Sequence, residues 1–140
     1  VLGDTATITA LDAYSEQDLV GRIEEADAVM LYHNLAVTRF TIDRLKKCKL
    51  IVRCGVGIDN VDWRYARERG IPVCNIPDYG TEEVADSAIG MFLTLARGIN
   101  LYNTRLRDPQ PAWMYTHAVP LHRIRGKTLG IVGLGRIGIA

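Results

Sequence analysis

The chain has 140 residues, 48% of them apolar, with a formal net charge of +1. That is enough apolar material for a buried core, and too little charge for a general nucleic-acid-binding field; no basic cluster stands out along the chain. Apolar runs fall far short of the roughly 20 residues that cross a bilayer, and no signal peptide opens the chain, so a cytoplasmic protein with no membrane or direct nucleic-acid partner is expected. The first residue, Val1, suggests a trimmed N-terminus.

In chain order, Ala6–Leu11 reads as a strand. Ser15 then caps a helix with an acidic first turn and a stripe of Leu19, Ile23 and Ala26. Ala28–Tyr32 is the next strand and ends in Tyr32-His33-Asn34. Thr41 is the expected cap of a helix through Cys48, with apolar Ile42 and Leu45 and a basic end at Lys46 and Lys47. Leu50–Cys54 is a strand that runs straight into Gly55-Val56-Gly57-Ile58-Asp59-Asn60. Asp59 or Asn60 is expected to cap the following helix, which stops at Gly70. Ile71–Ile76 is a further strand with Pro72 at its first turn. Near-continuous apolar strands alternating with helices imply a parallel sheet covered on both faces, with right-handed crossovers. The fold class is α/β, flavodoxin-like or Rossmann-like.

Pro77-Asp78-Tyr79-Gly80 breaks the alternation. Thr81 is the expected N-cap of a helix from Glu82 to about Arg107, with an apolar stripe of Ala85, Ala88, Ile89, Phe92, Leu95, Ala96 and Ile99. On pattern alone it is either a hinge or dimer helix or an ordinary core helix. Asp108–Trp113 reads as a surface loop carrying Trp113, Met114 and Tyr115. Lys127 and Thr128 lead into a last strand, Leu129–Val132, and then Gly133-Leu134-Gly135-Arg136-Ile137-Gly138. Cys48, Cys54 and Cys74 lack metal-ligand spacing and read as reduced core cysteines, so no metal site is expected.

Two glycine motifs carry chemistry. The last one fits a dinucleotide fingerprint: the first glycine allows a tight turn, the second lets backbone approach a pyrophosphate, and the third permits close packing. A plain glycine turn after a buried strand is the alternative. The acidic residue that holds the ribose, expected about 20 positions on, does not occur in the sequence, which ends at Ala140. The earlier motif, Arg53 to Asp62, places two glycines at the carboxyl end of a parallel strand. Backbone N–H groups there can hold a small carboxylate, with Arg53 as a nearby cation. The alternative is a tight turn with Arg53 paired to Asp59 or Asp62. Tyr32 and His33 end a strand on the same sheet edge and could line the same cleft; a loop histidine with no role is the alternative for His33.

Four runs in order, Arg53-Cys54-Gly55-Val56-Gly57-Ile58-Asp59-Asn60-Val61-Asp62, Gly70–Asn75, Glu82-Glu83-Val84-Ala85-Asp86 and Gly133–Gly138, resemble the NAD-dependent D-isomer-specific 2-hydroxyacid dehydrogenases over nearly the whole chain. Within that family, Met30–His33 and Glu82–Ser87 look most like the C-terminal binding protein branch, which joins this fold to transcriptional corepression; phosphoglycerate dehydrogenases are close to the same branch. The resemblance implies a flavodoxin-like substrate domain, residues 1–78 in part, followed from residue 79 by the long helix, the loop and the first strand of a truncated Rossmann NAD-binding domain. It implies NAD as cofactor, a small 2-keto or 2-hydroxy acid as substrate, and a two-fold homodimer. Position by position, Val56 and Gly57 would offer amides to the substrate carboxylate, with Arg53, Tyr32 and His33 lining the pocket. Val84 would touch the nicotinamide side, and Gly133, Gly135, Arg136, Ile137 and Gly138 would wrap the pyrophosphate. The family's catalytic arginine, glutamate and histidine lie beyond the glycine motif and are expected downstream of Ala140. No catalytic residue is therefore assigned within the chain, which alone is expected to be inactive, and none of His33, His117 and His122 takes the acid–base role. A corepressor-like NAD-sensing scaffold is the alternative to an enzyme.

Overall fold

The computed structural model describes residues 3–108 and 113–140. The chain divides into two compact units, the first ending at Tyr79 and the second beginning at Gly80.

The first unit is built on three parallel strands in sequential order, β1 (Ala28–Leu31), β2 (Leu50–Arg53) and β3 (Val73–Asn75). Val29 pairs with Ile51, and Ile51 with Val73, placing these three on one face. That face is the core: Ile51 is wholly buried, among Leu19, Ile23, Leu31, Val37, Ile42, Leu45, Val61, Ala66 and Ile71. The expected parallel α/β sheet is therefore present, but it is covered on one face rather than both, since Met30 and Cys74 on the opposite face are exposed. Pro72 lies just before β3 and takes part in the ladder through its carbonyl, which accepts the Ile51 amide at 3.0 Å; a missing N–H costs nothing there.

Two short helices connect the strands, α1 (Arg39–Ile42) and α2 (Trp63–Glu68). Their caps differ from those expected. Thr38, not Thr41, caps α1, its side chain accepting from the Phe40 amide. Thr41 is buried inside the helix, and its hydroxyl donates to Glu16 at 2.5 Å. The Glu16 carboxylate also takes the Thr38 amide and the Thr38 hydroxyl, each at 2.8 Å, so it closes the start of α1 from a distant segment. A cap recruited from 22 residues away leaves no local spacing to read. Helix α1 ends at Ile42 rather than Cys48. Likewise Asp62, not Asp59 or Asn60, caps α2 by accepting the Tyr65 amide at 3.2 Å. The helix stops at Gly70 as expected, with the Gly70 and Ile71 amides closing back on Arg67 and Ala66.

Three further expectations fail in this unit. Ala6–Leu11 is not a strand: residues 6–10 are exposed and find no ladder partner among the described residues. Strand propensity without a neighbouring backbone leaves its N–H and C=O groups to water. The helix begun at Ser15 is a single 3₁₀ turn, Glu16–Leu19, in which the Asp18 carboxylate accepts the Ser15 amide at 2.8 Å. Of the three cysteines only Cys48 is buried, and burial pushes its thiol up. Cys54 is half-buried, and Cys74 is exposed on the face of β3 turned away from the core.

The second unit holds α3 (Thr81–Ala96), α4 (Ile99–Arg105), a 3₁₀ turn (Tyr115–Ala118) and α5 (Arg136–Ile139). Gly80, not Thr81, occupies the N-cap of α3. The single long helix expected to Arg107 is broken at Gly98, whose φ of +63° is left-handed. A Cβ at that position would also stand 2.9 Å from the Ala118 Cβ. Both conformation and packing therefore demand glycine, and an interior left-handed residue ends one helix and starts another. No residue of α3 is buried within this unit, and its apolar Val84, Ile89, Met91, Leu93 and Leu95 are exposed. Leu129–Val132 is not a strand either. It has no pairing partner among the described residues, and Leu129, Ile131 and Val132 are exposed. The predicted loop Asp108–Trp113 falls mostly outside the described residues, while Trp113, Met114 and Tyr115 are exposed. Among the described residues no helix is long and apolar enough to cross a membrane.

Candidate functional site

The carboxyl edge of the sheet brings together five of the sequence-predicted residues. Leu31 and Arg53 are ladder partners, so Tyr32 and His33 leave β1 where Arg53 leaves β2. Tyr32 and His33 are exposed. The turn Gly55-Val56-Gly57 follows directly, and parallel α/β sheets bind ligands at this edge.

Asn60 ties these parts into one piece. Its Nδ2 donates to the Tyr32 carbonyl at 2.9 Å and the Leu35 carbonyl at 2.7 Å, and its Oδ1 accepts Arg53 Nε at 3.4 Å. Its own carbonyl accepts the Val37 amide at 2.8 Å. Arg53 is half-buried, and its guanidinium lies so close over Gly55 that a Cβ there would collide with Nη1. The pairing of Arg53 with Asp59 or Asp62 is not formed. Asp62 is engaged by Arg39 at 3.3 Å, and Arg53 has no carboxylate partner among the described residues. A partly desolvated guanidinium without a counter-ion is poised for an incoming anion.

The third strand holds the turn from its other side. Asn75 Nδ2 donates to the Val56 carbonyl at 2.7 Å, and the Ile76 amide donates to the Gly55 carbonyl at 3.0 Å. The amides of Val56 and Gly57 donate to no backbone carbonyl among the described residues, and both residues are exposed. A side chain on Gly57 would stand 2.8 Å from Asp59 Oδ1. Two open amides beside an unpaired arginine can take a small carboxylate. Sequence reasoning missed Asn75 and treated Asn60 only as a helix cap. The available signal was an amide side chain at the carboxyl end of a strand, within reach of the next strand's turn.

In the second unit the glycine run has part of the expected form. Gly133 has φ +98°, a turn closed to most side chains. A Cβ on Gly138 would collide with the Gly133 carbonyl, whereas Gly135 faces open space. Gly135 caps α5, which opens with Arg136 and Ile137. The Ala140 amide donates to the Arg136 carbonyl at 3.1 Å. Val84 stands exposed in the first turn of α3, and α3 and α5 pack against each other.

A parallel α/β unit with open amides and a cation at its carboxyl strand edge, followed by a unit with a glycine turn, defines an α/β protein. The sequence profile described as D-isomer specific 2-hydroxyacid dehydrogenase, catalytic domain, matches residues 1–129, and the chain belongs to that family. It is 34% identical to the C-terminal-binding protein 1 of Caenorhabditis elegans across all of its length and 20% of that relative's. It is 34% identical to the D-3-phosphoglycerate dehydrogenase of Methanocaldococcus jannaschii, over 99% of this chain and 26% of the relative. Among solved structures, a glyoxylate/hydroxypyruvate reductase of Sinorhizobium meliloti, NADPH-dependent and in complex with citrate, superposes with a TM-score of 0.79 at 29% identity, covering 99% of this chain and 44% of the other. The D-lactate dehydrogenase of Aquifex aeolicus, complexed with NAD and lactic acid, gives 0.73 at 27% identity, covering 84% and 34%. The chain thus spans a fifth to a quarter of the curated relatives' length.

Proposed function

We propose that the protein is an oxidoreductase that interconverts a 2-keto acid and a D-2-hydroxy acid, with NAD as the hydride carrier. The observation that carries this reading is the Gly55-Val56-Gly57 turn, whose two amides stand open beside an arginine with no carboxylate partner among the described residues. In it, the Val56 and Gly57 amides hold the substrate carboxylate, Arg53 supplies the opposing positive charge, and Tyr32 and His33 border the substrate's other end. Holding the carboxylate fixes the adjacent keto carbon, and positioning alone can supply a large part of a rate enhancement.

The residues present fit a dinucleotide. Gly133 and Gly135 carry no side chain to obstruct a pyrophosphate, and Gly138 is sterically required to keep the turn closed. Gly133, Gly135, Arg136, Ile137 and Gly138 would hold that pyrophosphate, and Val84 would border the nicotinamide. When bound, the cofactor supplies or accepts the hydride at the substrate's C2. Reduction also needs a proton donor to the keto oxygen. By the family resemblance the proton-transferring residues are expected downstream of Ala140, so no turnover is expected from residues 1–140 alone. The exposed apolar side chains of α3 support its assignment to a homodimer interface.

The test is NADH oxidation with a panel of 2-keto acids, using the full-length gene product and this chain in parallel. Turnover is expected only from the former; none with any keto acid would sink the enzyme assignment. The 34% identity to C-terminal-binding protein 1 favours one second reading, an NAD-sensing corepressor-like scaffold. Partner capture that requires NADH, without turnover, would support that reading instead.

A further inference from the structure

A trans peptide unit is planar, so its carbonyl and its N–H point in opposite directions. Gly55 C=O and Val56 N–H share one such plane; Val56 C=O and Gly57 N–H share the next. The first carbonyl accepts the Ile76 amide at 3.0 Å, and the second accepts Asn75 Nδ2 at 2.7 Å. Both carbonyls therefore face the end of β3, and both amides face away from it. An ordinary strand would alternate them. Two successive amides turned to the same side make a concave donor pair suited to an anion.

The two anchors differ in kind. The Ile76 anchor is backbone and is available to almost any sequence. The anchor on Val56 is a side chain and depends on one residue. Asn75 is also the ladder partner of Arg53, so the residue that turns the plane sits beside the strand that carries the cation. Asn75 is exposed, and a hydrogen bond in water adds little to stability. Orienting the plane is the remaining effect of the contact.

We propose that Asn75 is a positioning residue for the carboxylate turn: by holding the Val56 carbonyl it aims the Gly57 N–H at the substrate carboxylate. The proposal rests on the reading of this turn as a carboxylate site, and the two are separable by experiment. Residual dipolar couplings of the ¹⁵N-labelled chain report the direction of the Val56 and Gly57 N–H bonds without any ligand. Pyruvate titration, followed at the same two amides, reports binding. Asn75→Ala is expected to reorient the Gly57 N–H, leave the Val56 N–H in place, and weaken pyruvate binding roughly tenfold, at an unchanged melting temperature. Asn75→Asp is expected to bind weakly at neutral pH and to regain affinity near about pH 4, where a protonated carboxyl can again donate to the Val56 carbonyl. A Gly57 N–H direction or a pyruvate affinity that stays at the wild-type value in both variants overturns the role of Asn75. Wild-type Val56 and Gly57 amides that ignore pyruvate overturn the carboxylate reading, and the unliganded couplings then still decide whether Asn75 sets the plane.

Discussion

Replacing Asn60 by alanine tests whether one side chain joins the three parts of the site. The variant removes two donated bonds, to Tyr32 and Leu35, and one acceptor for Arg53. The Tyr32 residue is exposed, so water replaces much of what its carbonyl loses, whereas Leu35 is half-buried. A part-buried carbonyl left without a donor costs about 1–3 kcal/mol, and the 3.4 Å contact with Arg53 adds little. The expected loss is about 2 kcal/mol. For a unit of this size each kcal/mol moves the melting temperature by about 4–8 °C, so Asn60→Ala should melt about 8–16 °C lower at neutral pH. Circular dichroism melts, with urea titration alongside, measure it. Asn60→Asp separates stability from binding. It loses both donors but can close an ion pair with Arg53, so it should melt above Asn60→Ala. The same ion pair occupies the cation, so its pyruvate affinity should fall below that of Asn60→Ala. A drop of less than about 3 °C for Asn60→Ala, against the margin expected for a lost part-buried bond, would refute the bracing role. Affinities that follow the melting temperatures would refute the electrostatic half of the reasoning.

Burial pushes the Glu16 carboxyl up, but hydrogen bonds from Thr41 and Thr38 outweigh it and leave the pKa below its ordinary value of 4.5. A depressed folded-state pKa contributes stability above the unfolded value and loses it as pH falls through the folded one. The stability gap between wild type and Glu16→Gln should therefore be full at pH 7 and close on acidification below 4.5; denaturant titrations at a series of pH values measure it, and a gap that widens in acid would contradict the clasp. Gly55→Ala should displace the Arg53 guanidinium, the far end of a flexible side chain. The expected outcome is a small change in melting temperature and a roughly tenfold loss of pyruvate affinity, read by titration. Gly138→Ala collides with backbone, the Gly133 carbonyl, and has no flexible side chain to displace. NADH binding by the full-length protein, measured by fluorescence titration, should drop at least tenfold while pyruvate shifts at Val56 and Gly57 stay unchanged.

The features that sequence made legible are those set by the chain's own neighbours. Strand β2, its glycine turn and the Gly70 stop are encoded within a few residues, and each forms where expected. The exceptions are instructive because each turns on the presence or absence of a partner outside the local sequence. Ala6–Leu11 and Leu129–Val132 have strand composition, yet a strand needs a second backbone, and composition cannot supply one. Thr41 looks like a cap, but Glu16 takes that position's hydroxyl from across the unit and leaves Thr38 to cap the helix. Gly98 sits in an apolar helical pattern, where one glycine is tolerable on propensity alone; it breaks the helix because its φ of +63° is left-handed, and Ala118 and Leu121 leave no room for any side chain there.

The site divides along the same line. Its proposed donors, Val56 and Gly57, are legible because glycine spacing after a strand announces exposed amides. Their aim is not legible. A peptide plane can present its N–H to either side, and which side wins is decided by what holds the opposite carbonyl. Here the holders come from the end of β3 and the residue after it, 19 residues beyond Val56 in the case of Asn75. A glycine motif therefore states that an anion could bind, while the strand beside it determines where the anion would sit. Relatives with the same glycine turn and a different residue at the Asn75 position are expected to place the carboxylate differently, and to prefer different substrates for that reason rather than through any change in the turn itself.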